Sequence, residues 1–212
     1  MLVNIFLVDP SISYKQGMHE LLAPLIFVLH CDAAATQHLS TAGALPAELL
    51  VISDGDALKS DCFVLFRLLM ERCRKWYLDP EKGGLDATSE LEYYIRDLYH
   101  NQLKAIDIEL YRHLERNHIL PQVYGVRWLR LVFGREFPMQ DLLCVWDFLL
   151  GSNLALVNAF FIAMLVEQRV TLLNGDAGHI LTTLMRYPPI DDIGLLIEQS
   201  KARVRKYPLF QN

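Results

Sequence analysis

The chain has 212 residues, 52% of them hydrophobic and 21% charged, with 20 Lys and Arg against 25 Asp and Glu for a net charge of -5. So much apolar material fills a substantial core and excludes a disordered chain, while the acidic balance without a basic run argues against nucleic acid or an anionic membrane surface as the main partner. The four cysteines, Cys31, Cys62, Cys73 and Cys144, show no C-x-x-C spacing, so neither a disulfide framework nor a zinc ribbon is expected and a reducing compartment is the simplest reading.

In chain order, Met1 to Val8 is apolar but has no basic flank and breaks at Asp9-Pro10, which is too early for a secretory signal. Tyr14-Lys15-Gln16-Gly17-Met18-His19-Glu20-Leu21-Leu22-Ala23-Pro24 then joins a polar amide to a glycine and an apolar helix from Leu21 to Leu29. Two segments lack periodicity and read as loops: 32–60, rich in Ala, Ser, Thr and Gly, and 78–89, with Asp79-Pro80 and Gly83-Gly84. Leu91, Ile95, Leu98, Ile106, Leu110 and Leu114 recur mostly at helical steps, describing an amphipathic helix or a broken pair.

Proline and glycine punctuate the rest at positions suited to helix starts and stops. With Pro121 and Pro138 in first turns and Gly134, Gly151 and Gly175 at ends, helices are expected near 121–133, 138–150, 154–173, 177–186 and 191–204. The longest greasy stretch, Leu154 to Val166, falls short of the roughly 20 residues a spanning helix needs. A buried helix is expected there, and no transmembrane segment. Strand alternation and hairpin turns are missing, so the chain is read as one all-α domain over 1–212.

Familiar chemical motifs fail on inspection. His19-Glu20 starts a metalloprotease helix, but Ala23 occupies the second ligand position, and two imidazoles one turn apart are what zinc requires. Asp54-Gly55-Asp56 begins a calcium loop, yet Leu58 replaces its third oxygen ligand and Lys59 its turn glycine. There is no phosphate-cradling G-x-x-x-x-G-K-[ST], no G-x-G-x-x-G and no G-x-S-x-G, so the chain is expected to hold no nucleotide, nucleophile, metal or other cofactor of its own.

On the residues alone, Gln16 is a helix-start residue and Gly17 permits close packing. Y-x-Q-G-M before an apolar helix, however, resembles the signature of the TBC-domain activators of Rab GTPases. Trp128-Leu129-Arg130-Leu131-Val132-Phe133-Gly134-Arg135-Glu136-Phe137-Pro138, with Trp146-Asp147 beyond it, is similar to that family's C-terminal W-x-x-x-[LF]-F, proline and W-D pattern. The wording around Tyr14 to Pro24, with D-I-E-L-Y-x-H-L and Q-x-Y-G-x-R-W, is most similar to the subgroup linked to endosomal sorting and the retromer coat.

The resemblance implies an all-α TBC fold and assigns Gln16 as a glutamine finger inserted into the GTPase site. It makes Tyr14, Gly17 and Met18 its supporting or partner-facing neighbours, and Trp128, Phe133, Phe137, Pro138, Trp146 and Asp147 the C-terminal core. It implies a regulator rather than an enzyme, because the partner Rab holds GTP and magnesium. A retromer or other coat subunit is a further implied partner, and a cytoplasmic location with peripheral attachment to endosomal membranes is expected.

Two departures accompany it. The family's upstream I-x-x-D-x-x-R motif is absent: no aspartate in the chain has arginine three positions later, and Cys144 replaces the arginine of R-x-W-D. The chain is therefore expected to lack the first helices of the fold, and a catalytically silent scaffold binding a Rab or a coat subunit stands as the alternative.

Overall fold

The computed structural model describes residues 14, 16–41, 56–77, 89–151 and 154–210, with side chains left aside at 75, 154, 155 and 209. Among the described residues there are helices and turns and no strand, which agrees with the all-α expectation. Two compact units divide the chain, Met1–Glu81 and Lys82–Asn212, and the division falls in the 78–89 segment, of which only Ser89 is described.

The N-terminal unit pairs α1 (Met18–Thr41) with α2 (Leu58–Cys73), followed by a 3-10 turn over Arg74–Trp76. Helix α1 buries Met18, Leu21, Leu22 and Pro24, and α2 buries Cys62, Phe66, Leu69, Met70 and Cys73 at three- and four-residue steps. The two helices pack on each other. The expected loop over 32–60 is corrected at both ends, since α1 runs on through Thr41 and α2 starts at Leu58; 42–55 lie outside the described residues. Asp32-Ala33-Ala34-Ala35 continues the helix because alanine is the best helix former. At 24 residues α1, not the 154–166 stretch, is the described helix long and apolar enough to cross a membrane, with 22% of its most apolar window buried. The core helix of a soluble protein passes the same test.

The C-terminal unit opens with α3 (Glu90–Asp97), which continues through a π-helical stretch Leu98–Leu103 and a short turn α4 (Lys104–Ile106) before breaking at Asp107. Ser89 caps α3 by accepting from Glu92 N at 3.2 Å, a capping arrangement written as S-x-x-E. The wide π turn buries Leu98, Tyr99, Gln102 and Leu103 together. Asp107 caps α5 (Ile108–Arg116), so the broken-pair reading of this region holds.

Next come α6 (Gln122–Arg130), α7 (Met139–Leu150), α8 (Leu154–Glu167), α9 (Arg169–Asn174), α10 (Ala177–Met185) and α11 (Ile193–Lys206). Two expected helices are shorter or interrupted. The one near 121–133 ends at Arg130 because Val132 and Phe133 take positive φ, and the one near 154–173 breaks at Gln168. Asp176 and Asp192 cap α10 and α11 through the backbone nitrogens of His179 and Leu195. Helix α8 is the centre of this unit: Phe160, Phe161, Ile162, Ala163, Met164 and Leu165 are all 0% exposed, which is why its sequence is greasy on every side.

Candidate functional site

The turn ahead of α1 is built from the inside outwards. Met18 and Leu21 are each 1% exposed and anchor the first helical turn, and Glu20 N donates to Gly17 O at 2.8 Å to start the helix. Gly17 is buried at φ 100, a backbone region that side chains with a Cβ rarely enter. The glycine therefore lets the chain reverse tightly above the buried Met18, and Gln16, one residue earlier, is left exposed.

Tyr14, expected to pack beneath the turn, is 50% exposed. Its hydroxyl lies 3.2 Å from the Nδ1 of His19. His19 Nε2 in turn lies 3.9 Å from Glu20 Oε1. Met18 and Gly17, the two residues that follow Gln16, are both buried. What the turn offers chemically is an exposed neutral carboxamide with two donors and an acceptor. No cluster of metal-binding side chains occurs among the described residues.

The aromatic C-terminal residues belong to the other unit. Trp128 and Phe133 are 0% exposed, Trp146 3% and Phe137 8%. Trp128 meets Tyr124, Phe161 and Tyr187 at centroid distances of 4.9, 5.2 and 5.6 Å, and Phe133 meets Phe160 at 5.0 Å. These spacings are those of edge and offset ring contacts. Pro138 and Asp147, expected in the core, are exposed. Pro138 stands at the N-cap of α7, where its missing N–H costs nothing, and Asp147 points away from the face that buries Leu142, Val145, Trp146 and Leu149.

One ion pair escaped the sequence reading. Arg127 Nε and an Nη donate to the two carboxylate oxygens of Glu136, both at 2.8 Å, tying α6 to the chain that leaves it. Burial pushes the Glu136 carboxyl up, against the hydrogen bonds and charge of Arg127. The nine-residue separation has no helical period, so only the turn at Val132 and Phe133 brings the two together.

An all-helical chain with an exposed glutamine on a glycine turn ahead of an apolar helix, and an aromatic core around W-x-x-x-x-F, has the features of a Rab-GAP module. The chain matches the Rab-GTPase-TBC domain family over residues 1–173, and it belongs to that family. It is 42% identical over 209 residues to TBC1 domain family member 5 of Homo sapiens, an alignment covering 89% of this chain and 26% of that protein. TBC1 domain family member 13 of Mus musculus is 28% identical over 195 residues, covering 91% of this chain and 43% of that protein. The crystal structure of the Ypt/Rab-GAP domain of Gyp1p superposes with a TM-score of 0.74 at 21% identity, covering 95% of this chain and 62% of that one, and shares its fold. The chain thus spans about a quarter of the length of its human relative.

Proposed function

We propose that this chain stimulates GTP hydrolysis on a Rab-family GTPase through Gln16, supplied in trans as a finger. The observation that carries the reading is the exposed Gln16 amide on a turn fixed from below by Gly17 at φ 100 and by the buried Met18. Hydrolysis needs a water in line with the γ-phosphate, a task often left to a glutamine of the GTPase itself, and an amide can accept from that water and donate to a phosphate oxygen at once. The Rab brings GTP and magnesium, and the chain acts as a regulator of that reaction. Peripheral attachment to endosomal membranes and binding of a retromer or other coat subunit, implied by the resemblance of the Tyr14 to Pro24 segment, complete the proposal.

The silent scaffold is the second reading, favoured by the absence of any Asp-x-x-Arg in these 212 residues. An arginine finger contributes on the order of 10³ to 10⁵ in rate, because it sets positive charge against the phosphoryl oxygens, and an amide carries no such charge. Single-turnover hydrolysis by GTP-loaded Rabs, with the chain in excess, decides between them. Acceleration supports the activator. Binding with the intrinsic rate unchanged supports the scaffold, and no binding to any Rab removes the activator and leaves only a scaffold for a coat subunit.

A further inference from the structure

Residues 14 and 19 stand on either side of the exposed Gln16 and the buried Gly17, and they meet: Tyr14 OH and His19 Nδ1 are 3.2 Å apart. They are five residues apart, a separation that an α-helix does not bring face to face, so the contact exists because the chain reverses at Gly17. Glu20 Oε1 lies 3.9 Å from the other ring nitrogen, Nε2. A carboxylate there favours the tautomer with hydrogen on Nε2, which leaves the Nδ1 lone pair to accept from the Tyr14 hydroxyl. The Tyr14–Nδ1 contact is within hydrogen-bond reach, whereas Nε2 and the Glu20 carboxylate at 3.9 Å interact through charge alone.

We propose that His19 is a positioning residue: its Nδ1 accepts a hydrogen bond from the Tyr14 hydroxyl and so latches shut the turn that projects Gln16. The inference rests on the finger reading of Gln16. His19 touches neither nucleotide nor water in this role; it narrows the set of conformations from which the amide enters the GTPase site. A hydrogen bond between side chains about half exposed does little for the free chain. When a GTPase covers the turn and excludes water, the same bond strengthens, and the orientation it fixes is the one catalysis requires.

The test is single-turnover hydrolysis on a GTP-loaded Rab across a range of chain concentrations, for wild type, Tyr14→Phe, His19→Ala, the double variant, His19→Asn and Gln16→Ala. Tyr14→Phe and His19→Ala are each expected to lower the maximal rate constant about three- to tenfold, with the half-saturating concentration within about twofold of wild type. The double variant should lose no more than either single change, since both break one bond. His19→Asn, whose Oδ1 falls where Nδ1 does and accepts the same bond, should restore the rate. Imidazole 15N spectra read the contact without a GTPase, and the His19 Nδ1 resonance should move on Tyr14→Phe.

Wild-type rates for Tyr14→Phe and His19→Ala alongside a large loss for Gln16→Ala overturn the latch and leave the finger standing. Additive losses in the double variant, or an Nδ1 resonance unmoved by Tyr14→Phe, also overturn the latch. A wild-type rate for Gln16→Ala, or no acceleration by the wild-type chain, overturns the finger and the latch with it.

Discussion

The indole nitrogen of Trp146 donates a 2.9 Å hydrogen bond to the carbonyl oxygen of Val132, a β-branched residue held at φ 46 with Phe133 beside it at φ 60. Two successive non-glycine residues in the left-handed region are costly, and both side chains are buried. The turn persists because its backbone is bonded on several sides: Val132 N to Leu129 O at 3.0 Å, Phe133 N to Trp128 O at 2.7 Å and Gly134 N to Leu131 O at 2.8 Å. The W-D tryptophan of α7 thus fastens the segment that follows the W-x-x-x-x-F tryptophan of α6.

Trp146→Phe keeps a ring in place and removes the donor, leaving the Val132 carbonyl buried and unpaired. Chemical denaturation should show a loss of about 1–3 kcal/mol, and Trp146→Ala, which also opens a cavity, about 3–5 kcal/mol. A Trp146→Phe variant as stable as the parent would show that the turn holds without the indole.

Glu136 supplies a pH-dependent prediction. Its side chain is 1% exposed and paired with Arg127, which is 20% exposed. Burial raises its pKa despite Arg127. A carboxyl whose folded pKa lies above its unfolded value holds its proton more tightly when folded, so its ionisation opposes folding at neutral pH and the folded state gains as pH falls through the folded pKa. Arg127→Met leaves that carboxylate without its partner. The variant should lose about 2–4 kcal/mol at pH 7, and the penalty should shrink as the pH is lowered and Glu136 takes up a proton. Equal penalties across that range would sink this account.

Gly125 tests the packing of α6. A Cβ there would come 3.0 Å from Ile95 Cγ2 and 3.2 Å from the Phe161 ring, and Ile95 and Phe161 are both 0% exposed. Alanine gains about 1 kcal/mol of helix propensity, which offsets a small adjustment. Gly125→Val adds two more methyl groups against the same walls and should cost about 1–3 kcal/mol. Thermal melts of the two variants side by side are the check, and equal stability for valine and alanine would show unoccupied space.

Gln16→Ala is expected to behave in the opposite way. The side chain is exposed, so stability should stay within about 0.5 kcal/mol of the parent. If Gln16 is the proposed finger, the rate constant on a loaded Rab should fall by about 10²-fold or more, as expected of a group that acts on the transition state. A melting temperature that drops together with the rate would mark Gln16 as structural.

Much of this was legible because punctuation and core pattern agree. Pro138 and Gly151 bracket α7, and Trp128, Phe133 and Trp146 are buried as the family resemblance implied. The reading failed where composition stood in for propensity, as at Ala33 to Thr41, whose alanines and polar residues look like a loop but continue α1. It failed again at Val132 and Phe133, since a β-branched and an aromatic residue carry no local mark of positive φ; the Trp146 indole that bonds to the turn lies fourteen residues further along the chain. At the candidate site Gln16 and Gly17 could be singled out in advance, whereas the Tyr14–His19 contact could not, because it depends on the reversal between them.

The four thiols divide in a way that composition alone conceals. Cys31 and Cys144 are exposed while Cys62 and Cys73 are buried, and burial pushes the Cys73 thiol up to about 12. Thiolates, not thiols, react with maleimides and thiosulfonates, so a brief exposure near neutral pH modifies Cys31 and Cys144 and spares the other two. One falls in each compact unit. The unaltered chain thereby carries its own pair of attachment points, one in each unit, for a donor and acceptor dye or two spin labels, without a single engineered substitution.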